Sequence, residues 1–268
     1  MSETEGKEQQ RERTLTRRRE IVSALESERG TKVITLMHRR ELWEDEPKDS
    51  EAAHLTIEDS EFVLMQIRAT PPDRPIDLII HTPGGLALAA EMIATAVKLH
   101  PTKVTAMVPF YAMSGGTLIA LAADAILMEP YSVLGPVDPQ IGGWPAGALI
   151  HLVQKKPAEL VSDEMWLLAE VARLSLASVQ GFILWLLADK LPQQAAAQTA
   201  EFLTGGYLAH DTPIMLDTAC SLGLPVNANV PGRVYELFET CAFGLCKRPC
   251  LADYETAGTQ TSRQLMGW

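Results

Sequence analysis

Two apolar segments, each followed by a glycine-rich turn, constrain the fold of this chain most strongly. Pro75–Thr82 and Lys103–Pro109 have the apolar character of buried strands, and the turns HTPGG and AMSGG follow at residues 81–85 and 112–116. A helical pattern of apolar residues comes after each turn. Strands that lead through tight turns into helices build α/β folds, so the sequence predicts a mainly parallel sheet with helical crossovers.

Further predicted elements continue this alternation along the chain. They are a strand at Lys32–Met37, helices at Ile57–Ala69 and Leu86–Leu99, and a short strand at Ala125–Met128. Ser132–Gly143 is rich in Pro and Gly and predicts an ordered loop, and the chain beyond it is mostly helical to about Leu203. Ligand sites of such sheets lie beyond the carboxyl ends of the strands, where both glycine-rich turns are expected.

The length of 268 residues favours one domain with terminal extensions. We expect a charged helical or flexible arm at 1–30, a single α/β domain at 31–240 and a C-terminal tail at 241–268. The first 20 residues have no apolar centre of the kind that a secretory signal needs, so a cytoplasmic location is predicted.

Charge and cysteine content argue against two classes of ligand. The 34 acidic residues outnumber the 23 Lys and Arg, for a net charge of −11, which argues against nucleic-acid binding. The four cysteines lack the paired spacing of a structural zinc site and are too few for a disulfide framework, so reduced thiols and no metal site are expected. These cysteines are Cys220, Cys241, Cys246 and Cys250.

The uncharged segment LSLASVQGFILWLLA, residues 174–188, has apolar residues in almost every direction around a helix. It is shorter than the roughly 20 residues of a membrane-spanning helix, so no integral membrane segment is expected. The pattern predicts a helix buried on all sides, within the core or between subunits. Attachment to a membrane surface is a weaker alternative.

Ser114 is the strongest candidate for chemistry, because it lies between a predicted strand and a predicted helix and precedes Gly115 and Gly116. The free N–H groups at the start of that helix could stabilise an oxyanion beside the serine hydroxyl. The alternative is that Ser114 only caps the helix.

The turn at Gly84 and Gly85 leads into a second helix. If the two turns converge, the N–H groups of Gly85 and Gly115 form the two-donor hole that acyl transfer requires. A plain turn at the start of a helix is the alternative explanation.

At these residues the sequence resembles the serine dehydrogenase proteinase family, within the ClpP and signal-peptide-peptidase-A superfamily. The resemblance rests on IDLIIHTPGGLALAAEMIA, VPFYAMSGGTLIALAADAILM, VLGPVDPQIGG and LTGGYLAHDTPIMLDTACSLGLPV, which span most of residues 76–226. It implies a crotonase-like spiral of β-β-α units with a helical C-terminal part. It also implies a serine peptidase that forms an acyl-enzyme on Ser114, oxyanion donors at Gly85 and Gly115, a peptide substrate, a homo-oligomer and no cofactor.

The general base is less well defined, because the loop GPVDPQIGG has no histidine where the Clp subunits carry theirs. Signal-peptide-peptidase-like relatives use a lysine from the following helical region, which implies Lys155 or Lys156. A lysine base must be partly desolvated, and these two lysines could instead simply face water at a helix end. His151, four residues before Lys155, is another candidate.

Other polar residues could support the site. Asp211 lies near the acidic triad position of the Clp subunits, which would allow a triad of Ser114, His210 and Asp211. Neighbours in a strand point to opposite faces, however, and Asp211 before Pro213 is also typical of a turn. Asp138 could orient a base or hold its loop through backbone bonds. Phe110 stands where the resemblance favours a histidine, which indicates a changed wall of the site.

A function of a different class is compatible with the same turns. Crotonase relatives use two backbone donors to stabilise enolates of acyl-thioesters without a serine nucleophile. The second hypothesis is therefore a non-proteolytic oligomeric scaffold or an acyl-thioester-binding protein.

Overall fold

The computed structural model describes residues 3–43, 54–206 and 208–242. The strands, in chain order, are β1 Lys32–Met37, β2 Arg40–Glu41, β3 Ile76–His81, β4 Val104–Val108, β5 Tyr111–Ala112, β6 Ala125–Met128, β7 Val133–Leu134, β8 Gln140–Ile141, β9 Trp144–Pro145, β10 Val226–Asn227 and β11 Cys241–Ala242. The helices are α1 Glu3–Arg29, α2 Ile57–Ala69, α3 Ala87–Leu99, α4 Gly115–Ala122, α5 Ala146–Lys155, α6 Asp163–Leu187, α7 Gln193–Thr204, α8 Leu216–Ser221 and α9 Gly232–Glu239, with a 3₁₀ turn at Ala158–Leu160.

The central sheet has five strands in the order β1-β3-β4-β6-β10, and all of its pairs are parallel. Every residue of β3 and β4 is buried, as expected for parallel strands with helices on both faces. The predicted α/β class with a mainly parallel sheet is confirmed.

Helices cover both faces of this sheet. On one face, α2, α3 and α4 pack with parts of α6 and α7 into the larger apolar core. On the other face, Ile21, Val22 and Leu25 of α1 pack with Val234 and Leu237 of α9. The first 30 residues, predicted as a helical or flexible arm, therefore include a helix whose second half belongs to the core. The three-part division of the chain stays a prediction, and its tail lies outside the described residues from position 243 onward.

Local patterns predicted the long elements closely but missed short pairings. The predicted bounds of β1, α2 and β6 match the structure, those of β3 and β4 differ by one residue at each end, and that of α3 differs by one residue at its start. The predicted loop at Ser132–Gly143 instead contains β7 and β8. These two-residue strands form by pairing with β5 and β9, so no periodicity within the loop indicates them.

Residues 174–187 of the apolar segment lie in α6, which is longer than predicted and which the described residues bury on one side only. Leu174 and Trp185 are 57 % and 40 % exposed, whereas Ile183 and Leu186 are fully buried. Of the described helices, α6 is the one that is long and apolar enough to cross a membrane, by length and composition only.

Candidate active site

Ser114 lies between β5 and α4 in a strained backbone conformation, with φ 49° and ψ −112°. Among the described residues other than glycine, only Ser114 and Asn229 have a positive φ. Such a conformation costs energy and persists only where the surroundings enforce it. The Ser114 side chain makes no capping hydrogen bond to α4, which argues against the helix-cap interpretation.

Three hydrogen bonds hold this turn. The Gly116 N–H donates to the Met113 carbonyl at 2.7 Å, and the Leu118 N–H donates to the Ser114 carbonyl at 3.2 Å. The buried Thr117 hydroxyl donates to the Ala112 carbonyl at 2.8 Å. The serine is therefore fixed from both sides of the turn.

The second glycine-rich turn lies directly against the first. A Cβ atom on Gly84, whose φ is +93°, would lie 2.8 Å from the Met113 oxygen and 2.9 Å from the Ser114 Cβ. A Cβ on Gly85 would lie 2.3 Å from the Leu55 nitrogen, because Leu55 donates its N–H to the Gly84 carbonyl at 2.7 Å. Only glycine fits at either position.

The two predicted oxyanion donors come together at this contact. The position of a Cβ on Gly115 is 3.8 Å from the Gly85 nitrogen. Among the described residues, no backbone carbonyl accepts a hydrogen bond from the Gly85 or the Gly115 amide. Gly115 is the first residue of α4, where amides have no partner within the helix.

The structure also contains a histidine–aspartate pair. Leu134 of β7 pairs antiparallel with Ile214. Asp138 comes four residues after Leu134, and His210 comes four residues before Ile214. His210 Nδ1 is 2.6 Å from Asp138 Oδ1, and Asp138 is 3 % exposed. The Gln140 side-chain amide donates to the other carboxylate oxygen, Asp138 Oδ2, at 2.6 Å. His210 itself is half-buried.

Backbone contacts join the segment that leads to Asp138 to the serine turn. Ala112, two residues before Ser114, pairs parallel with Leu134, and the Thr117 hydroxyl donates to the Gly135 carbonyl at 2.9 Å. A Cβ on Gly135 would lie 3.3 Å from the Met113 Cα. The segment that carries Asp138 therefore runs between the serine turn and the segment that carries His210.

The other predicted residues lie on the surface. Lys155 and Lys156, at the end of α5, are exposed, as is His151 on the same helix. Asp211 is also exposed, and the carboxylate beside His210 is Asp138 instead. Sequence reasoning considered Asp138 and His210 separately and missed their pairing, because 72 positions separate them and no local pattern links them.

Phe110 belongs to an aromatic cluster at the start of β5. Its ring packs edge-on against His81 and Phe238, with centroids 5.8 Å and 4.9 Å apart, and lies 5.7 Å from the Tyr235 ring. Burial lowers the pKa of His81 to about 3, and the charge of nearby Arg39 acts in the same direction. His81 is thus neutral directly before the glycine-rich turn. A role for Phe110 in the site wall stays a prediction.

The sequence matches the family of ClpP-like SDH-type serine proteinases over residues 6–264. The chain belongs to this family. The match confirms the resemblance found in the sequence, and it supports a hydrolase of the serine proteinase type.

Two relatives are uncharacterized proteins of Methanocaldococcus jannaschii. One is 48 % identical over 83 % of this chain and 77 % of its own length, and the other is 46 % identical over 84 % of this chain and 76 % of its own. Among solved structures, ClpP1 from Listeria monocytogenes is similar with a TM-score of 0.47 and 14 % identity, over 75 % of this chain and 94 % of that one.

Proposed function

We propose that this protein is a serine peptidase in which Ser114 is the nucleophile and His210, oriented by Asp138, is the general base. The observation that carries the proposal is the strained Ser114 turn, held against Gly84 with its side chain free of the helix. Enforced strain at a serine beside two glycine turns is typical of a nucleophile and not of a cap.

The reaction follows from this arrangement in two steps. The Ser114 oxygen attacks the peptide carbonyl carbon while its proton passes to His210, and the Gly85 and Gly115 N–H groups stabilise the oxyanion. His210 then gives the proton to the leaving amine, and an acyl-enzyme remains. Water, deprotonated by His210, attacks the acyl carbon and releases the acid and the serine.

His210 is favoured over a lysine because of its partner. With Nδ1–H donated to Asp138, the imidazole keeps Nε2 as its acceptor, and the Gln140 amide holds the carboxylate in place. Lys155 and Lys156 are both exposed, so neither has the desolvation that a lysine base requires. The Ser–Lys dyad is accordingly the second hypothesis for the base.

Fluorophosphonate labelling of the purified protein, with mapping of the modified residue, tests the proposal. Labelling is expected at Ser114 and is abolished in Ser114→Ala, whereas the exposed Ser23→Ala control labels normally. His210→Gln should slow labelling by about 10²–10⁴-fold, because a positioned base contributes that much. Lys155→Ala and Lys156→Ala should label at the wild-type rate.

Two results would contradict parts of this proposal. Labelling that one lysine variant abolishes and His210→Gln retains would assign the base to that lysine. A folded protein that does not label, but binds a coenzyme A thioester, would favour the acyl-thioester function.

A further inference from the structure

One buried hydroxyl, that of Thr117, contacts both the serine turn and the segment that follows β7. Thr117 lies in the first turn of α4, three residues after Ser114, and is fully buried. Its hydroxyl oxygen is 2.8 Å from the Ala112 carbonyl oxygen, 2.9 Å from the Gly135 carbonyl oxygen and 2.9 Å from the Gly135 nitrogen. The side chain of Thr117 therefore joins three parts of the chain: β5, α4 and the residue that follows β7.

The hydroxyl acts as a donor and as an acceptor at the same time. A threonine hydroxyl has one proton and two lone pairs, so it accepts the Gly135 N–H and shares its proton between the two carbonyls. Valine has nearly the same shape but can do neither. A buried N–H that loses its partner costs free energy, so in Thr117→Val the segment around Gly135 is expected to shift until this N–H finds another acceptor.

Two separate links hold the segments that carry the candidate base and its carboxylate. The bridge between Leu134 and Ile214 aligns the segments of Asp138 and His210, whose side chains then contact each other. The Thr117 hydroxyl instead ties the aspartate segment to the turn that carries the nucleophile. Loss of the second link therefore leaves the first one in place.

We propose that Thr117 is a positioning residue that sets the Asp138–His210 pair relative to Ser114. The inference rests on the proposed function, because it requires this nucleophile and this base. Thr117 acts through the backbone of Gly135, three residues before Asp138. A displacement of about 1 Å at the reacting atoms can slow a reaction by about 10²-fold, so one misplaced backbone segment is enough to impair the proton transfer.

The rate constant of fluorophosphonate labelling at Ser114 tests this role. Thr117→Val should label about 10²-fold more slowly than the wild type but to the same final extent, because the base is misplaced in every molecule and absent from none. Thr117→Ser keeps the hydroxyl and should recover most of the rate.

Thr70→Val is the matched control for the loss of a buried hydroxyl. Thr70 is 6 % exposed, and its hydroxyl donates to the Gln66 carbonyl at 2.8 Å. It precedes β3, whereas the glycine turns follow the strands, so it lies toward the opposite edge of the sheet. Thr70→Val should lose stability in urea unfolding and label at the wild-type rate.

Gly135→Ala changes the same contact from its other side. The added Cβ would lie 2.5 Å from the Met113 Cε and 3.3 Å from the Met113 Cα. Gly135 does not have a positive φ, and the end of the Met113 side chain can move, so this variant should fold. It pushes the aspartate segment away from the serine turn, and its labelling should therefore slow even though Thr117 is intact.

A double variant shows through which group Thr117 acts. In His210→Gln the base is absent, so its position relative to Ser114 no longer affects the rate. Thr117→Val should therefore add little to the loss that His210→Gln causes alone. If Thr117 supported only the serine turn or the oxyanion donors, the two losses would multiply.

Four results would overturn the proposal. A Thr117→Val protein that labels as fast as a wild type labelled at Ser114 would remove the positioning role and leave the proposed function intact. Losses that multiply in Thr117→Val/His210→Gln would assign the effect to the serine turn. Slow labelling of Thr117→Ser would assign it to the packing of the methyl group. A wild type that does not label at all would contradict the proposed function, and this inference with it.

Discussion

Ser114 keeps its strained conformation because Gly84 leaves room for it. The Gly84 backbone passes so close to Met113 and Ser114 that a single added carbon would contact both. The strain at the serine and the absence of a side chain at position 84 thus depend on each other, and in this turn the Ser114 hydroxyl makes no capping bond to α4.

Gly84→Ala is expected to abolish fluorophosphonate labelling while the protein stays folded. Its Cβ must displace the serine turn, and its φ of +93° adds about 1–2 kcal/mol of strain. Gly30→Ala is a matched control, because Gly30 has a φ of +67° with nothing within 4 Å of the added carbon. Both variants should lose stability in urea unfolding, Gly84→Ala more because its added carbon also meets the serine turn, and only Gly84→Ala should lose labelling. Normal labelling of Gly84→Ala would contradict the role of this contact.

At the scale of residues, the sequence predicts those features of the site that neighbouring residues in the chain determine. The positions of Ser114 and the two glycine turns follow from strand–turn–helix patterns, and the structure places them together. The Asp138–His210 pair does not follow from any local pattern, because the Leu134–Ile214 bridge that aligns it joins distant segments.

The element that carries the candidate nucleophile, α4, is held at both of its ends. Its first residue is the proposed oxyanion donor Gly115, and at its last turn the Lys190 ammonium donates to the Leu121 and Ala122 carbonyls at 2.6 and 2.7 Å. Burial lowers the pKa of Lys190 to about 8, and the charge of Lys98 contributes in the same direction. A cation at this end also complements the helix dipole.

Lys190→Met is expected to destabilise the protein by about 1–3 kcal/mol at pH 7, because two carbonyls lose their donor. Between pH 8 and pH 10.5 the folded lysine is neutral while the unfolded lysine still binds a proton. The free energy of unfolding of the wild type therefore increases with pH in that window, by at most about 1.4 kcal/mol per pH unit. A protein with a residue that does not titrate at position 190 lacks this increase.

Urea unfolding of both proteins at pH 7, 8 and 10 measures this difference. The control is Lys103→Met, at an exposed lysine. It should show neither the loss of stability at pH 7 nor a difference from the wild type that grows above pH 8. A difference between wild type and Lys190→Met that shrinks as the pH rises would contradict the assigned direction of the Lys190 shift.

Elements with their own periodicity, such as β1 and α2, could be predicted to the residue. The apolar residues around α6 predict burial on all sides, within the core or between subunits, and the described part of the chain covers one side of the helix. The sequence indicates that the apolar surface of α6 must be covered. Only the packing in the structure shows which side of the helix is covered by the chain itself.

Across the whole molecule, one buried arginine joins distant parts of the chain. Arg18 of α1 is fully buried and forms two hydrogen bonds to the Glu41 carboxylate, at 2.9 and 2.5 Å. It also donates to the Thr240 hydroxyl at 2.8 Å and to the Thr240 carbonyl at 2.9 Å. The N-terminal helix, β2 and the end of α9 thus share a single cation.

Arg18→Met should destabilise the whole protein by about 3–5 kcal/mol, since the buried Glu41 carboxylate loses both hydrogen bonds from Arg18. Arg18→Lys should recover little, because an ammonium cannot match the planar contacts to Glu41 and Thr240. The double variant Arg18→Met/Glu41→Leu should recover much of the loss, because it also removes the buried carboxylate. Urea unfolding measures the free energy of unfolding of the wild type and the three variants. Arg13→Met, at an exposed arginine, is the control. If the double variant is no more stable than Arg18→Met, the loss comes from packing of α1 and not from the buried charge.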